Sequence, residues 1–130
     1  MKPFKLTPYI PTESEEQGRV VRWARQMSLI NPALRMLISV PNGSRRDAAT
    51  GVKLVREGLS KGFPDLLLLW PRGNIHGLAI EMKRRIGATV RPEQQEWHER
   101  LKAAGYAVRV AYGASEAIQA IEEYLSTNKS

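Results

Sequence analysis

Cysteine is absent from the 130 residues, which excludes disulfides and thiolate-bound zinc. Histidine is nearly absent: His76 and His98 stand apart with no partner at ligand spacing, which argues against a metal site rich in imidazole. Both are expected at the surface, His76 in a turn and His98 on a helix. No apolar run approaches the roughly 20 residues that span a bilayer, and residues 1–11 lack the long apolar stretch of a secretory signal. A soluble, unexported, cytoplasmic protein with no membrane partner is expected, and any metal it binds is held by oxygen. Acidic side chains are also in short supply. There are 13 against 20 Lys and Arg, giving a net charge of +7 and a pI near 10.1. That balance suits a polyanionic partner, because clustered bases bind phosphates and release counterions. With 42% hydrophobic residues, the chain is long enough for one domain with its own core and too short for two.

Residues 1–11 carry three prolines and no periodicity, and are expected as an extended N-terminal arm. Thr12 offers an N-cap with Glu15 at capping-box spacing, and Val20, Val21, Trp23, Ala24 and Met27 form the apolar stripe of a first helix running to about residue 29. Asn31-Pro32 ends it. A strand is predicted over residues 36–40, closed by Pro41-Asn42-Gly43. A basic loop follows, in which Arg45, Arg46, Lys53, Arg56 and Lys61 outnumber Asp47 and Glu57, with a short helix across 52–57 and a stop at Gly58. Residues 66–70, four leucines and Trp70, read as a strand buried on both sides. Pro71-Arg72-Gly73-Asn74 turns it back, antiparallel, onto a strand at 78–83. Pro92 suits a first helical turn, and Trp97, Leu101 and Ala104 share a helical face ending at Gly105. Residues 106–112 are the last strand, and 115–125, with Ala117, Ile118, Ile121 and Leu125 on one side, the terminal helix. Trp23, Trp70 and Trp97 all lie on apolar stripes or strands and are expected in the core, not as base-stacking platforms. The order is α-β-α-β-β-α-β-α: one α/β domain over 12–126, a mixed sheet of about four strands flanked by helices, and a polar tail at 127–130.

The residues that do not fit a core are Asp65 and Glu81-Met82-Lys83. Glu81 and Lys83, two apart on a strand, point to one face while Ile80 and Met82 point to the other. Pairing that strand with the one opened by Asp65 brings two carboxylates together, and their repulsion is relieved by a divalent cation. Magnesium accepts two carboxylates and a main-chain carbonyl, such as that of Met82, while keeping several waters. Lys83, beside the metal, would hold or deprotonate an attacking water. Glu-x-Lys alone also describes an ion pair on a half-exposed sheet face. Its setting argues otherwise, because unpaired charge in the most apolar part of the chain is costly without a functional partner.

Several segments in order resemble the VRR-NUC domain of the PD-(D/E)XK nuclease superfamily, in the small stand-alone form typical of phages and prophages. They are Thr12-Glu13 with Gln17 and Trp23; Val40-Pro41-Asn42-Gly43 with Arg45-Arg46; Gly58, Gly62 and Pro64-Asp65; residues 78–83; Pro92-Glu93-Gln94 with Trp97 and Leu101; and Gly105-Tyr106-Ala107-Val108. The resemblance implies a restriction-endonuclease-like core with chemistry at one sheet edge. Asp65 and Glu81 are then metal ligands for Mg²⁺ or Mn²⁺, Lys83 the catalytic lysine, Gln94 a supporting residue, and Glu13 the helix-one acid, with Glu16 its rival. The glutamates of that first turn would equally complement the helix dipole, and Gln94 could be solvent-facing polarity. Asn42, Arg45, Arg46, Lys53 and Lys61 are candidates to grip a DNA backbone, the alternative being a solvated loop and an Asx turn. The implied activity is a structure-selective endonuclease on branched DNA, four-way junctions included, acting as a homodimer because two opposed strands require two active sites. Its setting would be the cytoplasm of a bacterial host. Nicking or flap cleavage, a non-catalytic DNA-binding module of the same fold, and a plain basic structural protein are the competing readings.

Overall fold

The protein is described from a computed structural model, which covers residues 7–41 and 48–126, the side chains of 48–51 excepted. Helix α1 spans Glu13–Met27 and starts where a capping box closes it: Thr12 Oγ1 accepts from the Glu15 N–H (3.1 Å) and Glu15 returns the bond to the Thr12 N–H (2.9 Å). After α1 the Asn31 side chain caps a five-residue 3₁₀ helix, Pro32–Met36, where the sequence predicts only a break. It delivers the chain into β1, Leu37–Ser39, shorter than the predicted strand. Helix α2, Ala48–Arg56, begins four residues earlier than expected.

Strands β2 (Leu66–Leu68) and β3 (Leu78–Lys83) form the expected antiparallel hairpin, Leu66 opposite Ile80 and Leu68 opposite Leu78. Helix α3 (Pro92–Ala103) then crosses over so that β4 (Ala107–Tyr112) lies parallel to β3, and α4 (Ala114–Ser126) follows. A parallel pair needs such a crossover, and the helix it requires is what covers the sheet. The strand order is β1-β2-β3-β4. Glu81 and Lys83 therefore belong to an inner strand and Asp65 stands immediately before the other inner strand, not on an edge strand of the sheet; the closing strand β4 adds to β3 and encloses it.

The core lies on one face of the sheet. Val20 and Ala24 of α1 and Ala114, Ala117 and Ile121 of α4 cover Leu66, Leu68, Leu78, Ile80 and Met82, and each of the larger of these side chains, valine, leucine, isoleucine or methionine, contributes about 1.5–3 kcal/mol when taken from water. Residues 66–70 are not buried on both sides throughout: Leu67 is half-buried, and Leu69 and Trp70 are exposed at the strand's end. Trp70 thus leaves the core expected for it, whereas Trp23 packs against it. All six β3 residues are buried, because α3 closes the opposite face over Glu81 and Lys83. Residues 7–11 have no regular structure, and Arg84 holds the Ile10 and Pro11 carbonyls (2.7 and 3.3 Å); the rest of the expected arm, residues 1–6, and the tail at 127–130 lie outside the described residues.

Candidate active site

Continuing the β2–β3 register by one residue sets Asp65 opposite Glu81. The Asp65 backbone is fixed by its N–H to the Ile80 carbonyl (3.1 Å) and by the Val40 N–H on its own carbonyl (2.8 Å), and its Oδ2 accepts the Met82 N–H (2.8 Å). Four ionisable side chains here are almost out of solvent: Asp65 and Glu81 are 2% exposed, Lys83 4% and His98 6%. Burial of this order is tolerated only among partners. Gln94, in the first turn of α3, supplies them for Glu81 and Lys83. Its Nε2 donates to Glu81 Oε2 (3.1 Å), while its Oε1 accepts from Lys83 Nζ (2.8 Å) and from the Arg91 N–H (2.8 Å). One neutral amide so joins the acid to the base.

The loop that carries Asp65 is seated on the same helix. Gly62 has φ +92°, and a Cβ there would stand 2.6 Å from the Glu93 carbonyl oxygen, so only glycine lets the backbone approach α3 this closely. Trp97, in the next turn, donates from Nε1 to Ser60 Oγ (3.0 Å) and meets Phe63 edge-on at 4.9 Å. Trp97 is partly buried against this loop, with Arg100 over its ring.

Glu81 is pushed up to about 9 by burial and by the charge and hydrogen bond of Asp65, with Glu13 adding to the shift and Lys83 opposing it. In the absence of a cation it holds its proton and bonds Asp65. Its Oε1 has no hydrogen-bond partner although buried. Among the described residues no group of three or more His, Asp or Glu is arranged to hold a metal ion. Two neighbouring buried carboxylates, one with an oxygen left without a hydrogen bond, nevertheless suit a hard cation that keeps most of its waters and needs few protein ligands.

The two rival helix-one acids fall into different settings. Glu16 is wholly buried; Arg85 (2.6 and 3.3 Å), Arg19 (3.4 Å) and the Ala114 N–H (3.1 Å) occupy it. Burial works against its charge, but these bonds outweigh that and hold its carboxyl below the ordinary range. It ties α1 to α4 and to the end of β3. Glu13, half-buried, is the acid whose charge reaches Glu81. Gln17 Oε1 is buried without a hydrogen-bond partner.

Of the basic residues, Lys53 and Arg56 are exposed on α2 and Lys61 is exposed 3.8 Å from Glu93, next to Gln94. Asn42, Arg45 and Arg46 lie outside the described residues. His76 is exposed as expected; His98 is not. It is buried against Glu81, its Nε2 3.6 Å from Glu81 Oε1, and burial followed by Lys102 and Lys83 lowers its pKa. The signal was available in the sequence: His98 follows Gln94 by four residues, which sets both on one helix face.

The VRR-NUC domain family matches residues 12–115. The chain belongs to the VRR-NUC domain family. A solved structure described as a VRR_NUC domain protein superposes with a TM-score of 0.74 at 32% identity, covering 90% of each chain. No curated protein matches. The VRR-NUC domain is of the PD-(D/E)XK nuclease class, so this mixed four-stranded α/β fold carries a nuclease-type, DNA-processing function. No helix among the described residues is long and apolar enough to cross a membrane.

Proposed function

We propose that the protein is a divalent-metal-dependent DNA endonuclease that hydrolyses phosphodiester bonds, selective for branched DNA such as four-way junctions and active as a homodimer. Residues 12–126 form the nuclease domain, with residues 1–11 as an arm. Its setting would be the cytoplasm of a bacterial host, from a phage or prophage. The observation that carries the chemistry is the buried acidic pair Asp65–Glu81 joined through Gln94 to Lys83.

Asp65 and Glu81 would hold Mg²⁺ or Mn²⁺, and the Met82 carbonyl would join them, since a strand residue's C=O leaves on the same side as the N–H that Met82 gives to Asp65. The bound cation would neutralise charge on the phosphoryl oxygens and on the departing alkoxide. Lys83 orients the attacking water and takes part in its deprotonation, its Nζ held by Gln94. Gln94 also turns the Glu81 carboxylate, and Glu13 adds negative charge on the α1 side of the site. Asn42, Arg45, Arg46, Lys53 and Lys61 grip the DNA backbone.

The test incubates labelled linear, flap and four-way-junction DNA with and without Mg²⁺ or Mn²⁺, using the wild type, Asp65→Ala and Lys83→Ala. Metal-dependent cutting, fastest on the junction and lost in both variants, is expected. Cutting only of flaps or nicks would replace the specificity, and metal-dependent binding without cutting in the wild type would make the protein a DNA-binding module. Cutting that survives both substitutions would refute the site.

A further inference from the structure

Each oxygen of Glu81 is faced by a different side chain of α3. Oε2 accepts from Gln94 (3.1 Å), whereas Oε1 looks at His98 Nε2 across 3.6 Å. Neither Glu81 Oε1 nor His98 Nε2 has a hydrogen-bond partner, and both residues are buried. Two complementary polar atoms, desolvated and left just beyond bonding distance, form a contact ready to be completed. We propose that His98 is a positioning residue, whose Nε2–H closes onto Glu81 Oε1 and fixes the carboxylate in the orientation that receives the divalent cation.

This rests on the reading of Glu81 as a metal ligand. Ligating carboxylates are themselves held by surrounding donors, and losing one such donor typically weakens metal affinity about 10–100-fold. His98 serves as a donor to Glu81 and not as a ligand, its Nε2 facing Glu81 Oε1. It acts through Glu81, as Gln94 does from one turn earlier. A histidine serving only to fill the core would leave its buried nitrogen unpaired, which an aliphatic side chain of similar size avoids.

The experiment titrates Mn²⁺ into the full chain by calorimetry at neutral pH for the wild type, His98→Leu and His98→Gln, with the metal-free thermal midpoint of each. His98→Leu is expected to bind Mn²⁺ at least about tenfold more weakly with an undiminished metal-free midpoint. In His98→Gln the amide nitrogen reaches the place of Nε2 and restores affinity to within about threefold of wild type. Wild-type affinity in His98→Leu, or equal weakening in both variants, would overturn the inference. Should the leucine variant not fold, His98→Asn, whose amide is one bond too short, takes its place beside His98→Gln, and wild-type affinity in it or equal weakening in the pair would overturn the inference just the same. A wild type that binds no Mn²⁺ overturns the metal reading itself, and this inference with it.

Discussion

Replacing Glu81 with Gln should make the metal-free protein more stable, though the substitution removes a residue central to the site. The unfolded chain titrates Glu81 near 4.5, but in the folded protein burial and Asp65 raise it to about 9. Because the folded value is raised, the advantage of the neutral form is complete below pH 4.5 and is lost as pH climbs toward 9. Each pH unit in that window costs about 1.4 kcal/mol, so by pH 7 the folded protein has given up about 3 kcal/mol at this one residue. Glutamine keeps the shape and the donor toward Asp65 without an ionisable proton. Urea unfolding in chelator should therefore show Glu81→Gln equal to wild type near pH 4.5 and more stable at pH 7 by up to about 3 kcal/mol. Saturating Mg²⁺ should reverse the order, since only the wild type gains a ligand that binds the folded state. A variant less stable than wild type in chelator at pH 7, or a difference that does not change between pH 4.5 and 7, would refute the reasoning.

Three further outcomes separate the surrounding residues. Glu13→Ala should slow metal-dependent cutting at least about tenfold with stability changed by no more than about 0.5 kcal/mol, whereas Glu16→Ala should lower unfolding free energy by about 1–3 kcal/mol through its lost buried bonds; equal, near-wild-type rates would take α1 out of the mechanism. Gln94→Ala leaves Lys83 Nζ and Glu81 Oε2 without their shared partner, and single-turnover cutting should fall about 10–100-fold. Gly62→Ala forces a side chain onto φ +92° and sets its Cβ only 2.6 Å from the Glu93 carbonyl oxygen, which should cost about 1–3 kcal/mol of unfolding free energy and slow cutting as the Asp65 loop is pushed off α3.

The elements were legible wherever local chemistry repeats itself along the chain. The Thr12–Glu15 box, the Pro71–Asn74 turn and the 78–83 strand all appear within a residue or two of their expected limits. The 3₁₀ helix at Pro32–Met36 was not, because Asn31-Pro32 punctuates equally well for a stop and for a new short turn. Strand adjacency followed from the hairpin, but the position of β4 did not: only the α3 crossover encloses β3 and moves the acidic pair to the sheet's interior. In the candidate site, Asp65, Glu81 and Lys83 stood out as charge inside an apolar run. His98 stays hidden to a search for metal-ligand spacing, and only its helix-face spacing from Gln94 reveals it. The separate settings of Glu13 and Glu16 depend on Arg85 and Ala114, 69 and 98 residues away from Glu16, which no local pattern discloses.

The most direct test of a cation held between Asp65 and Glu81 counts protons. With Glu81 at about 9 in the metal-free protein, ligation at pH 7 must expel its proton, because the carboxylate and not the acid binds the metal. Mn²⁺ titrations in buffers of different ionisation enthalpy should give about one proton released per ion bound by the wild type and none in Glu81→Gln. Saturable binding with no proton release, or the same release in both proteins, would contradict the account.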